Sequence, residues 1–168
     1  GTRTGTPVAQ GENELFFNLY LPSGVMPAGG WPVAIFVPGT GSSKQGGVGP
    51  GGGDALAVVV PLAEQGIATI AINAVGHGFG PLSTLTVTPS VGAPVTFSEG
   101  GRGMDQDGDG IIGCSEGLDA AAPRTIISTR DGLRQTVVDL MQLVRVIEAG
   151  MDVDSDGSRD LNPARIYY

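Results

Sequence analysis

Residues 31–37 read Trp-Pro-Val-Ala-Ile-Phe-Val, a continuous apolar run that stops abruptly at Pro-Gly-Thr-Gly in 38–41. A short apolar run without alternation is typical of a strand that is buried on both faces. A second run of this kind, Ile-Ala-Thr-Ile-Ala-Ile at 67–72, follows a helix predicted over 54–65. A strand, a helix and a strand in this order favour a parallel pair joined by a crossover. We therefore expect the α/β class, with a mostly parallel sheet and flanking helices.

Further elements are expected on both sides of this unit, and together they describe one domain. The predicted elements are a strand over 14–21, a hairpin of strands at 84–88 and 94–98, a helix over 131–149 and a strand from 164 to 168. Ser128 and Asp131 fit a capping box at the start of the helix, and Gly150 fits its end. The last strand begins without being completed, so we expect residues 1–168 to be the first part of a single domain. Within it, residues 80–123 form a loop and hairpin excursion.

Composition and charge exclude several classes of function. The chain has 168 residues, of which 40% are apolar and 15% charged, and its net charge is −8. Nucleic-acid binding requires a basic surface that neutralises phosphates, whereas Lys44 is the single lysine of this chain. No apolar run of about eighteen residues occurs, so we expect no membrane span. Cys114 is the only cysteine, so no disulfide can form within the chain.

The first of two acidic clusters matches a twelve-residue calcium loop in full. Its sequence is Asp-Gln-Asp-Gly-Asp-Gly at 105–110, followed by five residues and a glutamate. The acids converge only if the chain turns sharply, and Gly110 at the sixth position permits that turn. Hard oxygen ligands without His or Cys suit calcium. The expected ligands are Asp105, Asp107, Asp109, the carbonyl of Ile111 and Glu116. The flanking helices of an EF-hand are missing, and a solvated acidic loop is the alternative.

The second acidic cluster, Asp-Val-Asp-Ser-Asp-Gly-Ser-Arg-Asp at 152–160, keeps the same spacing over its first six positions. Its twelfth position is Pro163, so the closing glutamate is lost. It resembles the shorter calcium loops of thrombospondin type 3 repeats. The expected ligands are Asp152, Asp154, Asp156, Ser158 and Asp160. A solvated turn is the alternative, and we expect one or two structural calcium ions in the whole chain.

The order of several segments resembles the first half of an α/β-hydrolase of the esterase or lipase kind. The segments are Leu-Tyr-Leu-Pro at 19–22, the run from Trp31 to Lys44, the run from Leu62 to Ile72, Gly-His-Gly at 76–78, and the helix over 131–149 followed by Asn-Pro-Ala-Arg-Ile-Tyr-Tyr at 162–168. Together they cover most of the chain outside the excursion. The resemblance implies an incomplete α/β-hydrolase fold whose last segment leads toward the family's nucleophile elbow.

The resemblance also implies roles for two turns. In the family, the turn after the third strand supplies an oxyanion-hole amide. That turn is residues 38–41 here, with Pro38 where the family usually has histidine. The backbone N–H of Thr40, or that of Gly41, would therefore face the developing oxyanion; a glycine-rich turn with no catalytic task is the alternative. His77 lies in the family's structural turn after the fourth strand, which implies a packing role.

The nucleophile and its partners are not found in this sequence. Residues 113–117 match the family's Gly-x-Ser-x-Gly, but no buried strand precedes them and Glu116 already belongs to the first calcium loop. The family's order is serine, acid, histidine, whereas the only histidine is His77, upstream of the match. The resemblance therefore implies that all three catalytic residues lie beyond Tyr168. We expect a C-terminal chain or segment to complete the fold, and this chain alone to be inactive.

The resemblance therefore implies one part of a secreted serine carboxylic-ester hydrolase that acts on a small-molecule or lipid ester. An extracellular or periplasmic location is expected, because calcium loops of this kind suit millimolar calcium. The alternative is a non-enzymatic calcium-binding module in which the acidic loops are the function. The apolar runs at 33–37 and 67–72 favour the enzyme, since a small calcium module does not need strands covered on both faces.

Overall fold

The computed structural model describes residues 8–47, 55–114, 116–117 and 125–168. Within these residues lie the following elements: β1 Phe17–Tyr20, β2 Trp31–Phe36, β3 Ser42–Ser43, β4 Gly46–Gly47, α1 Leu56–Glu64, β5 Ala68–Ile72, β6 Thr84–Val87, β7 Val95–Ser98, α2 Thr125–Gly150 and β8 Leu161–Tyr167. Neither helix of this described part has the length and apolar character needed to span a membrane.

The central feature is a four-stranded sheet in the order β1-β5-β2-β8. β2 is parallel to β5 on one side and to β8 on the other, whereas β1 runs antiparallel to β5. β2 leads through α1 to its parallel neighbour β5, and the chain returns from β5 through the β6–β7 hairpin and α2 to β8, which pairs with β2 on its other side. The α/β class is therefore confirmed, and the sheet is mixed.

One face of the sheet packs against α2 and forms the core. Val33 and Ile35 of β2 and Ile70 of β5 alternate onto this face, and Leu143 and Ile147 of α2 cover them. Val33, Ile70 and Ile147 are fully buried. Burial of each large aliphatic side chain stabilises the fold by roughly 1.5–3 kcal/mol. The apolar runs that predicted these strands therefore supply the main stabilisation of the sheet.

The start of α2 differs from its prediction. The helix begins at Thr125, so Ser128 and Asp131 lie inside it and the predicted capping box is wrong. The Asp131 carboxylate instead forms ion pairs with Arg130 at 2.9 Å and Arg134 at 3.5 Å. No Gly or Pro interrupts residues 125–131, so nothing local stops the helix from extending toward its N-terminus. The C-terminal end at Gly150, where φ is +103°, agrees with the prediction.

The other boundaries differ from their predictions by one to three residues. β8 begins at Leu161 rather than at residue 164 and includes Pro163. Proline is tolerated there because β8 is an edge strand. The pairing of β8 with β2 shifts register between Trp31 and Val33, in the part of β8 that contains the proline. The first helix spans 56–64, and its predicted first residue, Asp54, lies outside the described residues.

The excursion contains the predicted hairpin. β6 and β7 pair antiparallel, with Leu85 opposite Phe97 and Val87 opposite Val95. These four side chains share one face of the hairpin, because side chains alternate along a strand. A second, very short hairpin of β3 and β4 follows the turn after β2 and was not predicted from the sequence.

Candidate functional site

The turn after β2 presents backbone amides at the carboxyl end of the strand. The amide of Ser42 donates to the carbonyl of Gly39 at 3.1 Å, which closes the turn, and Gly41 has φ of +79°. Thr40 is exposed. Among the described residues, neither the amide of Thr40 nor that of Gly41 meets a hydrogen-bond acceptor. Two free amides at the carboxyl edge of a sheet can stabilise an anion that develops beside them.

The edge strand β8 ends on the same side of the sheet as β2, from which this turn leaves. It pairs in parallel with β2, and Tyr167 lies opposite Ala34. Since parallel strands end at the same edge of a sheet, residues leaving β8 emerge on the side where Thr40 lies. The structure therefore brings the end of the last predicted strand and the predicted oxyanion turn to one edge of the sheet.

A buried ion pair supports the same loop. The ammonium of Lys44 is 3.0 Å from a carboxylate oxygen of Glu99 and also contacts the Glu99 carbonyl. The same carboxylate oxygen accepts from the side-chain amide of Asn73 at 3.0 Å, and its second oxygen accepts from Ser83 at 3.0 Å. Lys44, Glu99 and Asn73 are all buried. Sequence reasoning assigned no role to this cluster, because its members lie up to 55 positions apart.

His77 lies in a buried turn after β5. Its Nδ1 is 3.1 Å from the carbonyl of Val75, and its own carbonyl accepts from the amide of Arg102 at 2.9 Å. The guanidinium of Arg102 in turn pairs with Asp139 of α2 at 2.8 Å. The histidine is 5% exposed, and these contacts hold a turn against a neighbouring segment, in keeping with the packing role predicted for it.

In the first acidic loop the three aspartate side chains converge. Carboxylate oxygens of Asp105, Asp107 and Asp109 lie within 4.8 Å of one another. Asp105 accepts from the amide of Gly110 at 3.0 Å, Asp107 from the amide of Asp109 at 3.1 Å, and Asp109 from the amide of Ile111 at 2.7 Å. These bonds curl the loop so that its acids share one exposed concave side, where they could hold a cation.

Glu116, the predicted closing ligand, lies beside this loop but outside the group of three. Its two oxygens accept from the amides of Gln106 at 2.8 Å and Gly113 at 2.7 Å. The hydrogen bonds from Gly113 and then Gln106 lower the pKa of the Glu116 carboxyl. Because they favour the charged form, the carboxylate is ionised and close to the loop that it was predicted to close.

The second acidic loop repeats the hydrogen-bond pattern of the first. Asp152 accepts from the amide of Gly157 at 3.0 Å, Asp154 from the amide of Asp156 at 3.1 Å, and Asp156 from the amide of Ser158 at 2.7 Å. The three carboxylates again have oxygens within 4.8 Å of one another. Two loops whose first aspartates, Asp105 and Asp152, are 47 positions apart therefore fold into the same local arrangement.

Left-handed backbone conformations occur at equivalent places in the two loops. Gly108 and Gly110 have φ of +79° and +82°, and Ser155 and Gly157 have φ of +62° and +88°. Ser155 is the only non-glycine residue with positive φ in the described part of the chain. A side chain in this conformation costs roughly 1–2 kcal/mol, so the hydrogen bonds of the loop impose its shape on Ser155.

Asp160, the last predicted ligand of the second loop, lies outside the group of three. It is buried, and its carboxylate accepts from the amide of Val153 at 2.7 Å. Its backbone joins two elements, because its amide donates to Met151 at 2.7 Å and its carbonyl accepts from Trp31 at 2.8 Å. Asp160 thus closes the loop between α2 and β8.

The Gly-x-Ser-x-Gly match lies in the first acidic loop, and its serine, Ser115, falls outside the described residues. No strand is formed by residues 111–114, which precede that serine. Burial raises the pKa of the Cys114 thiol, a hydrogen bond with the backbone of Gly78 lowers it, and the Glu99 carboxylate raises it. The surroundings of this match therefore lack the strand-to-turn geometry of a nucleophile elbow.

Comparisons with protein-family models, curated proteins and solved structures found no match for this chain.

Proposed function

We propose that this chain is the N-terminal portion of a serine carboxylic-ester hydrolase, an esterase or lipase with an α/β-hydrolase fold. The observation that carries the proposal is the parallel pairing of β8 with β2. A nucleophile elbow that followed β8 would emerge at the edge where the amides of Thr40 and Gly41 lie. Acyl transfer requires this proximity, because the oxyanion forms on the atom bonded to the nucleophile's target carbon.

In this proposal the chain contributes electrostatic stabilisation rather than proton transfer. As the nucleophilic serine attacks the ester carbonyl, negative charge develops on the carbonyl oxygen. The amides of Thr40 and Gly41 donate to that oxygen, and loss of one such donor typically lowers kcat by about 10²–10³-fold. The serine, the acid and the histidine base are carried by a C-terminal chain or segment. The β6–β7 hairpin shapes or covers the acyl pocket with its apolar face.

The proposal also includes calcium as a structural ion. Asp105, Asp107 and Asp109 would bind one ion, with the carbonyl of Ile111 and the carboxylate of Glu116 completing the oxygen shell. The triad Asp152, Asp154 and Asp156 would bind a second ion, with Ser158 and Asp160 as the remaining predicted ligands. Both loops suit millimolar calcium, which favours an extracellular or periplasmic location. The ions stabilise loops that bury little apolar surface and take no part in the reaction.

A second candidate function is a calcium-binding module without activity. The observation that favours it is the repeated hydrogen-bond pattern of the two acidic loops, which needs no catalytic partner. The two functions differ in what the four-stranded sheet is for. In a module the sheet is only a scaffold, whereas in the hydrolase it aligns β2 with β8.

Activity-based labelling of the protein isolated from its source separates the two functions. A fluorophosphonate reacts with an activated serine, so the hydrolase predicts one label on a Gly-x-Ser-x-Gly serine outside residues 1–168. The 168-residue chain alone should take no label, and a label on Ser115 would contradict the proposal. Native mass spectrometry with and without a chelator shows in the same sample whether a second chain and calcium accompany the 17.0 kDa chain.

The oxyanion assignment has its own test. Thr40→Pro removes the amide of Thr40, so ester turnover by the labelled form should fall by about 10²-fold or more. Thr40→Ala keeps the amide and should lose far less. Equal turnover by the two variants would exclude the Thr40 amide from the reaction.

A further inference from the structure

The single lysine of the chain lies at a position that solvent does not reach. Lys44 forms the turn between β3 and β4, and it is 2% exposed. Its ammonium is held by Glu99, both through the carboxylate at 3.0 Å and through the carbonyl. Its own backbone amide donates to the side chain of Asn73 at 2.8 Å. Both ends of this residue are therefore anchored.

The anchors belong to separate parts of the fold. Asn73 directly follows β5, and Glu99 directly follows β7. Ser83 precedes β6, donates its hydroxyl to the Glu99 carboxylate at 3.0 Å, and accepts the Glu99 amide at 2.9 Å through its carbonyl. Lys44 thus joins the loop after β2 to the end of β5 and to the base of the β6–β7 hairpin.

The turn that precedes Lys44 has little else to fix its position. A Cβ placed on Gly39 or on Gly41 would meet no atom of the described residues within 4 Å, so these residues do not pack against either glycine on that side. Thr40 is exposed and contributes no buried side chain. Between Pro38, which is buried at the end of β2, and the buried hairpin that begins at Ser42, the backbone amides of Thr40 and Gly41 form no hydrogen bond with any other described residue. The position of the turn therefore depends on how firmly the segment after it is held.

A buried ion pair contributes little net free energy to the stability of a fold. Removal of two charges from water costs about as much as their attraction returns, and apolar pairs of similar volume often stabilise as well or better. What a hydrogen-bonded ion pair adds is a defined geometry, since Lys44, Asn73 and Glu99 are each hydrogen-bonded to the other two. An ion pair of this kind is suited to holding the backbone of a loop in a fixed place.

We propose that Lys44 is a positioning residue which, through its ion pair with Glu99 and its bond to Asn73, fixes the amides of Thr40 and Gly41 in the orientation that oxyanion stabilisation needs. This role rests on the proposed hydrolase function. The network also joins the turn to the β6–β7 hairpin, so a displacement of the hairpin base would be transmitted to the same amides.

The first arm of the test uses the protein in the form isolated from its source and needs no activity. Backbone ¹⁵N relaxation reports the order of individual amides, with order parameters of about 0.85 for rigid backbone and below about 0.6 for flexible backbone. Lys44→Met and the double variant Lys44→Met/Glu99→Gln should lower the values at Thr40 and Gly41 from the first range toward the second. The double variant buries no unpaired charge and so retains the fold if the single variant does not. Asp139→Asn, which removes the charge from another poorly exposed ion pair, is the matched control and should leave both amides unchanged.

The second arm measures ester turnover by the form that reacts with fluorophosphonate. The double variant should recover much of the unfolding temperature lost by Lys44→Met, yet its kcat should stay about 10²-fold below the wild type with little change in KM. A purely structural role would restore kcat together with stability. Unchanged order at Thr40 and Gly41, or full kcat in the double variant, would overturn the role of Lys44 alone. Absence of ester turnover in the wild-type protein would instead overturn the proposed function, and the positioning role with it.

Discussion

Calcium should raise the unfolding temperature of this protein, and each acidic loop should contribute its own part of that increase. The perturbation is the substitution Asp109→Asn in the first loop and Asp156→Asn in the second. These residues are equivalent, because each accepts the amide two positions ahead at 2.7 Å. Asparagine keeps that acceptor and the volume of the side chain. Only one negative charge is removed from each group of three carboxylates.

The expected magnitude follows from binding linkage. Loops of this kind in extracellular proteins bind calcium with Kd of about 10⁻⁴–10⁻³ M, so at about 10 mM calcium one site stabilises the native state by roughly 1.4–2.7 kcal/mol. For a chain of this length, each kcal/mol shifts the unfolding temperature by about 2–4 °C. One occupied loop should therefore add roughly 3–10 °C. The first loop should add more, since Glu116 lies beside it and the second has Pro163 at the closing position.

The assay is thermal unfolding followed by circular dichroism, in excess chelator and in calcium. The wild type should show the sum of two increments, and each variant should lose the increment of its own loop. The double variant should show almost none. Asp131→Asn removes an exposed carboxylate that pairs with Arg130 outside both loops, and it should keep the full calcium effect.

Two results would refute this reasoning. If the double variant keeps the wild-type increase, calcium acts somewhere other than the two acidic loops. If magnesium at the same concentration gives an equal increase, the loops act as general acidic surfaces, because Mg²⁺ demands a smaller octahedral shell that an irregular loop does not offer.

Three further predictions concern the core, a turn and the thiol. Ile147→Ala should lower the free energy of unfolding by about 2–5 kcal/mol, because Ile147 is fully buried under the sheet. Val146→Ala, on the exposed side of α2, should change it by less than about 1 kcal/mol. Urea unfolding measures both, and similar losses for the two variants would contradict the packing of α2. Gly30→Ala should lower the free energy of unfolding clearly more than Gly24→Ala in the same assay. Both glycines have positive φ, but only at Gly30 would a Cβ meet backbone, 2.7 Å from the carbonyl carbon of Leu161. Equal losses would show that the contact with β8 relaxes freely. Alkylation of Cys114 at pH 8 should be several-fold slower in the folded chain than in urea. Burial raises the pKa of the thiol above its ordinary value, so less of the reactive thiolate is present below that raised pKa. The rate should increase as the pH rises through the raised pKa, and equal rates in the two states would contradict the burial.

Local patterns were sufficient to predict the elements that rest on local chemistry. The apolar runs of β2 and β5 appear as buried strands, and the β6–β7 hairpin lies within one residue of its prediction at each end. The aspartates of both acidic loops converge as their spacing indicates, since the backbone hydrogen bonds that their carboxylates accept span at most five positions. Interactions of this range leave a readable signature in the sequence.

The features that failed prediction depend on partners that are distant in the chain. Nothing near Ser128 indicates that the helix has already begun at Thr125, because a capping box shows where a helix could start and not where it does. Nothing near Lys44 indicates burial either, since its partner Glu99 follows a different hairpin. The antiparallel pairing of β1 with β5 is likewise set by the sheet as a whole. The sequence contains one lysine among 168 residues, but that count does not indicate whether the lysine side chain is buried.

The two acidic loops share a local geometry, yet they contact opposite ends of the parallel strands, the first at the carboxyl end and the second at the amino end. The first follows β7 and contacts the turn after β5, where Cys114 bonds to the backbone of Gly78. The second precedes β8, where Asp160 bonds to Trp31 at the start of β2.

Loss of calcium should therefore disturb different parts of the molecule at the two sites. From the first loop the disturbance reaches the carboxyl edge of the sheet, where the candidate oxyanion turn lies. From the second it reaches the start of β8, and with it the register that aligns β8 with β2. Under the proposed function, an ion in the second loop would affect a reaction at the other end of the strands, because Asp160 at the end of that loop bonds to Trp31 at the start of β2.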